Sequence, residues 1–371
     1  MPEAIRIAYG VQIMMSINFW VTSILAVFLA GCNKSTKLNG QEEMAADKFS
    51  EKNTYCIGRF LIDMPAEVHV FGTAKIKGVS FETKAMSEEA YLHAIDAYEA
   101  MLKAKESPLG YRFLYEHGEG PEKGTRYFVR LENEGQPGDM HRLVEAYKWH
   151  DGYQIKLFVG ASDRVNSEYV KKHKGTPYGI PGKLINNVPE KRQLIFDLLR
   201  RVEGRPTQII PTVPGVCFLG GFLPGKAGER EQVFTQFVLR GYRDVSFNIE
   251  SDTDIQEPNT LLERGDSVNA ALRLNGGRTI RKGSVALDGM EAEEWLVSGK
   301  TVFEIPGHHM TLEANSKTGS AATPLLTLDM DTGAPNNVLQ EKIDKASLTD
   351  GESVALWDAV SRSLRPRRDA F

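Results

Sequence analysis

The chain has 371 residues, 41% of them hydrophobic and 25% charged, a balance too apolar for disorder and too polar for a bundle of membrane spans. A formal net charge of −4 gives no global reason to expect nucleic acid or an anionic membrane as a partner. At roughly 100–200 residues per domain, this length points to two domains.

The N-terminus carries the one long apolar stretch. No charge falls between Ile7 and Asn33, and Ile17 to Ala30 forms a compact apolar block. It ends in Leu29-Ala30-Gly31-Cys32, the pattern at which a bacterial signal peptidase cuts before a cysteine whose thiol takes lipid. An uncleaved membrane anchor is the competing reading, because about 20 apolar residues span a bilayer. The block is nearer signal-peptide length, and a polar stretch follows at once, which favours a lipoprotein acylated at Cys32. Arg6 is the only basic residue ahead of the block, a thin n-region for such a signal. Residues 1–31 are therefore expected to be a signal peptide and 32–54 a lipidated, flexible tether reaching roughly 25 Å. Asn33, where Asp would suggest inner-membrane retention, points to the outer membrane, facing the periplasm.

Beyond the tether, Tyr55 to Pro65 reads as a short strand stopped by proline, and Lys75 to Lys84 as another. Ser87 offers an N-cap, followed by Glu88 and Glu89 in a first turn. Tyr91, Ile95, Tyr98 and Leu102 then make one apolar stripe on a helix that Pro108 closes. Strands follow at Thr125–Glu132 and Arg142–Trp149, with a hairpin turn at Asp151-Gly152. A second helix over about Pro189 to Val202 should bury Ile195, Leu198, Leu199 and Val202. The proline-rich segment 206–214 reads as an extended linker between an N-terminal domain (55–205) and a C-terminal one (215–371).

The second half repeats this order. Strands are predicted at Gln232–Leu239, Asp244–Glu250, Thr279–Leu287 and Glu291–Val297, with a turn at Asp288-Gly289 and further strands near Thr311 and Leu325. A helical stretch holds Leu261, Leu262, Val268 and Leu272, and the chain ends in two helical segments. The last has a capping box, Thr349 to Glu352, and a stripe of Val354, Trp357, Val360 and Leu364. Strands and helices segregate without alternating, so the fold class is α+β: two related antiparallel-sheet-plus-helix domains.

Chemistry is poorly signalled. Gly220 to Ala227 falls one residue short of a phosphate-binding loop, because Ala227 replaces the metal-holding hydroxyl and Pro224 removes an amide. It reads as a glycine-rich turn between strands. Adjacent His308 and His309 on a strand would point to opposite faces and not share a metal. Asp252-Thr253-Asp254 and Asp329 to Gly333 are only fragments of calcium loops. No Gly-x-Ser-x-Gly elbow occurs. No catalytic, cofactor or metal residue is assigned. Cys56 and Cys217 remain: an even count in an oxidising compartment allows a disulfide, and two separately buried thiols are the alternative. The reading leans to the bridge because each cysteine opens a domain.

Tyr55-Cys56-Ile57-Gly58-Arg59-Phe60 running to Pro65, with Pro214-Gly215-Val216-Cys217-Phe218 and Gly220-Gly221-Phe222 opening the second half, resembles the lipoprotein immunity proteins that neutralise phospholipase effectors of the bacterial type VI secretion system. The resemblance implies a periplasmic binder that captures a cognate phospholipase and grips its lid region, with affinity on the order of nanomolar. An envelope scaffold and an enzyme whose site is assembled from distant residues are the competing readings.

Overall fold

The same succession of elements occurs twice. In the first half it runs Lys52–Ile57 (β1), Phe60–Pro65 (β2), Val68–Ile76 (β3), Val79–Ala85 (β4), the helix Glu88–Ala104 (α1) and a meander. The meander comprises Leu114–Glu119 (β5), Arg126–Arg130 (β6), His141–His150 (β7) and Tyr153–Ser162 (β8). The short helix Glu168–His173 (α2), the helix Val188–Arg201 (α3) and the strand Glu203–Gly204 (β9) complete it. The second half runs Gly215–Phe218 (β10), Gly221–Pro224 (β11), Glu231–Leu239 (β12), Ser246–Asp252 (β13) and the helix Gly265–Leu274 (α4). Its meander is Arg278–Leu287 (β14), Met290–Lys300 (β15), Pro306–Ala314 (β16) and Leu325–Asp331 (β17), followed by the helix Asp350–Ser361 (α5) and Arg365–Pro366 (β18). The computed structural model describes residues 49–176, 182–274, 276–335 and 342–371. The expected signal peptide, Cys32 and most of the tether lie outside them.

The fold is α+β, and the two halves have one topology. The first orders its strands β3-β4-β8-β7-β6-β5 and the second β12-β13-β17-β16-β15-β14. The equivalent strands β3 and β12 pair antiparallel over nine residues, from Val68↔Leu239 to Ile76↔Glu231, so the halves form one 12-stranded sheet. Pairing of like with like, antiparallel, is the relation of a twofold interface, here within one chain. Each half also lends its last strand to the other: β18 pairs with β2, and β9 with β11.

Tight turns explain two differences from the sequence reading. The stretch 55–65 is a hairpin, not one strand, because Gly58-Arg59 forms a two-residue turn between Ile57 and Phe60. Lys75 to Lys84 likewise bends at Lys77-Gly78, where both residues have positive φ, 54° and 80°. That is the mirror-image turn that matches sheet twist, but lysine at its first position hides it from a search for Asn-Gly or Asp-Gly. The strand β5 and the short helix α2 are further elements that carried no clear pattern. Of the two terminal helices expected, α5 is found among the described residues.

Helix α1 forms as its sequence dictates: Ser87 Oγ accepts from Ala90 N, and the helix ends at Ala104, ahead of Pro108. Its stripe of Tyr91, Ile95 and Leu102 is buried against Phe113, Phe128, Leu131 and Tyr147 in a satellite core. Each such side chain contributes about 1.5–3 kcal/mol by leaving water. Helix α3 buries Ile195, Leu198 and Leu199 in the main core, which runs unbroken through both halves.

Helix α5 has the expected capping box and is fixed to the sheet by a buried carboxylate. Glu294 accepts from Trp357 Nε1 at 3.1 Å, Arg362 Nη2 at 2.9 Å and Arg281 Nε at 2.7 Å. Burial alone would push this carboxyl up, but these donors hold it below its ordinary 4.5. A depressed carboxyl contributes stability that is present above its ordinary value and lost as pH falls through the folded one. Glu294→Gln should therefore cost about 1–3 kcal/mol at neutral pH. It should also flatten the decline of the urea midpoint as pH falls below the ordinary carboxyl value of 4.5; an unchanged acid slope would contradict this assignment.

Candidate functional site

The two hairpins that open the halves meet back to back. Cys56 of β1 and Cys217 of β10 are joined by a disulfide across a sequence separation of 161 residues. Their cross-strand neighbours are Leu61 and Phe222, which pack against the bridge. Gly58 and Cys217 exchange backbone hydrogen bonds, both 2.8 Å. From the turn beside them, the buried Arg59 reaches Glu231 at the start of β12 with two parallel bonds, Nε to Oε2 and Nη2 to Oε1, both 2.8 Å. Its Nη1 also donates to the carbonyls of Gly225 and Ala370. A cavity of about 10 Å³ beside this pair has room for a single water. The Cys-x-Gly-Arg segment is thus a fastening between halves, and its arginine works across the seam. Glycine is required at Gly220 in the matching turn: φ is +68°, and a Cβ would lie 2.5 Å from Thr83 Oγ1.

The segment 206–214 runs along the same seam and is pinned by two buried guanidiniums. Arg205 Nη1 donates to the carbonyls of Pro206, Thr207 and Ile209. Arg367 donates to those of Pro211, Val213 and Gly215. Burial, with the neighbouring Arg367 cation, lowers the Arg205 guanidinium to about 10. The expected linker is therefore a fixed loop whose carbonyls face inward, and it leaves Ile209 and Val213 exposed, 58% and 51%. Phe371, also exposed, follows Ala370, whose carbonyl accepts from Gly215 N at 3.2 Å. Ile209 and Val213, held out on this fixed loop beside the seam, offer preformed apolar side chains to a protein partner.

The other residues singled out in the sequence are spoken for locally. Gly220 lies in the β10–β11 turn, Gly221–Pro224 is β11 itself, and Gly225 to Ala227 follow it. His308 and His309 diverge: His308 bonds Thr332 and Asp350, and His309 bonds Asp331. Asp252 accepts from Gln232 and from the amides of Asp254 and Ile255, and Asp329 from Thr311. A cleft of about 370 Å³ is lined by Arg278, Lys300, His308 and Asp350, but there Arg278 and His308 both pair with Asp350. Among the described residues, no group of three His, Cys, Asp or Glu is placed to hold a metal. None of their helices is long and apolar enough to cross a membrane. Cys32 lies outside the described residues.

Such a molecule, a cross-fastened frame carrying an exposed apolar seam, belongs with proteins that work by binding other proteins. Two family matches cover most of the chain: the Tle cognate immunity protein 4 N-terminal domain over residues 53–205 and the corresponding C-terminal domain over 209–369. The chain belongs to this family of immunity proteins. The resemblance read from the Cys-x-Gly-Arg segment therefore stands.

Solved structures share the fold. The apo form of the immunity protein TplEi of the T6SS from Pseudomonas aeruginosa superposes with a TM-score of 0.64 at 20% identity, covering 86% of this chain and 98% of that one. The Tle4–Tli4 complex gives 0.66 at 20% identity, covering 87% and 99%. TplEi complexed with an "L" peptide gives 0.61 at 19% identity, covering 86% and 99%. No curated protein is similar enough in sequence to be matched to the chain.

Three variants test the fastening. Closing a loop of this length stabilises by up to about 5 kcal/mol in the chain-entropy view, and measured losses run at about 2–5 kcal/mol. Cys56→Ala with Cys217→Ala should lower stability by that amount in urea unfolding, and reductant should then have no further effect. Arg59→Met strands the Glu231 carboxylate in the interior and should cost about 3–5 kcal/mol, whereas adding Glu231→Leu should recover part of that loss. Purely additive losses would show that the pair is not coupled.

Proposed function

We propose that this chain is a lipid-anchored periplasmic immunity protein that captures a cognate type VI phospholipase effector and silences it by holding its lid region. The observation that carries the reading is the match of both halves to the Tle cognate immunity protein 4 family. Two solved structures of the same fold add support: one is a Tle4–Tli4 complex, and the other holds a peptide. A fold that can seat a peptide suits a partner that offers a mobile segment.

The physics of inhibition follows from two-state behaviour. A phospholipase acting at a membrane must open its lid, and a binder selective for one lid state shifts that equilibrium by its differential affinity. A preformed surface loses little entropy on binding, and the guanidinium-pinned seam loop supplies one. Ile209 and Val213 are its apolar anchors in this reading. Acylation at Cys32, followed by the tether, keeps the inhibitor at the envelope, where an injected phospholipase meets lipid.

The mature chain should form a stoichiometric complex with its cognate phospholipase and abolish hydrolysis of phospholipid vesicles. Absence of a complex, or undiminished hydrolysis, overturns the proposal. Ile209→Ser with Val213→Ser should weaken the complex by about tenfold or more while leaving the melting temperature of the free protein unchanged. Cys32→Ser should move the protein from the membrane fraction to the soluble periplasm; retention in the membrane would show that the apolar N-terminus acts as an uncleaved anchor.

A further inference from the structure

The loop joining β15 to β16 presents two apolar side chains to solvent. It is closed by Thr301 N to Ile305 O at 2.9 Å and Glu304 N to Thr301 O at 3.0 Å, with Phe303 N on Thr301 Oγ1 at 3.3 Å. Held this way, Val302 is 87% exposed and Phe303 50%. Two adjacent apolar side chains held out at a loop tip gain free energy wherever an apolar surface covers them. Its nearest charges cancel, because Lys300 pairs with Glu304 at 3.0 Å, so no lone charge opposes burial in an apolar medium.

Its position indicates what covers it. Phe49, the first described residue, packs its ring 5.4 Å from that of Tyr242 in the β12–β13 turn. From the same turn, Asp244 Oδ2 accepts from Gly333 N at 3.1 Å, and Gly333 O accepts from Thr301 Oγ1 at 3.1 Å. A short run of direct contacts therefore links the place where the N-terminal segment meets the fold to the apolar tip. Only residues 33–48 separate Cys32 from Phe49 in the sequence. Pro214, at the end of the seam loop, bonds Gly225 at 2.9 Å, near the Glu231 end of β12 and so at the opposite end of that strand from Tyr242.

We propose that Val302 and Phe303 form a second membrane contact, seated at the headgroup–acyl boundary of the bilayer that holds the Cys32 acyl chains. The proposal rests on the lipid-anchor reading above. Once the chain is anchored, the second contact is intramolecular, so a small apolar tip suffices at the millimolar effective concentrations that tethering provides. Two points of attachment orient the molecule: the tip faces the membrane, and the seam loop faces away from it towards arriving protein.

The test uses the acylated protein in phosphatidylethanolamine–phosphatidylglycerol vesicles carrying nitroxide lipid. With Cys32 acylated and Cys56 bonded to Cys217, Val302→Cys introduces the one free thiol for an environment-sensitive fluorophore, and Val165→Cys, in an exposed loop of the first half, serves as control. The proposal expects a blue shift and loss of emission at 302 but not at 165. Membrane-bound protein with a fully wet label at 302 overturns the tip contact and leaves the anchor standing, whereas protein that does not sediment with vesicles overturns both. If Val302→Ser with Phe303→Ser weakens phospholipase capture and leaves the position of the protein on the membrane unchanged, the tip is a protein contact and the proposal is wrong.

Discussion

Everything in this molecule hangs on the fastening between its two opening hairpins. The Cys56–Cys217 bridge and the buried Arg59–Glu231 pair hold two topologically equivalent halves together. Around them, β3 pairs with β12 to make one sheet, and each half completes the other's hairpin with its last strand. Neither half has a finished boundary without the other. The arrangement resembles a homodimer with exchanged terminal strands, written into one chain.

This constraint shapes how the protein acts. Two loosely linked domains would lose orientational freedom on gripping a partner, and that loss would come out of the affinity. Here the segment between the halves is held by Arg205 and Arg367 through its own carbonyls, so the surface proposed to meet the partner is formed before any partner arrives. Buried guanidiniums whose hydrogen bonds go to carbonyls and not to carboxylates are an expensive device, and their presence marks a loop whose conformation matters. In the reading proposed above, inhibition needs only a surface whose affinity differs between two states of a lid.

Much of the architecture was legible in the sequence because local rules carried it. The Ser87 cap with the Tyr91–Ile95–Leu102 stripe, the Asp151-Gly152 turn and the Thr349–Glu352 capping box all lie within a few residues and agree with the tertiary structure. The repeated order of elements was visible too. What stayed hidden was non-local. No pattern in 68–76 or 231–239 announces that β3 and β12 pair across 154 intervening residues. The Lys77-Gly78 turn escaped because its positive φ is carried by a residue that seldom adopts one. Segment 206–214 has the composition of a free linker, and only Arg205 and Arg367, one of them far away in sequence, reveal it as a fixed loop. The cysteines could be paired only as one of two open possibilities, since spacing alone does not report that two hairpins meet.

Native-state hydrogen exchange on β3 and β12 tests the central claim most directly. If the fastened halves unfold as one body, the buried amides of both strands exchange through the same opening and share one free energy, which falls equally for both when the disulfide is reduced. Exchange of β3 at a distinctly lower free energy than β12, or the reverse, would show two units that open independently, and the single preformed binding frame would have to be given up.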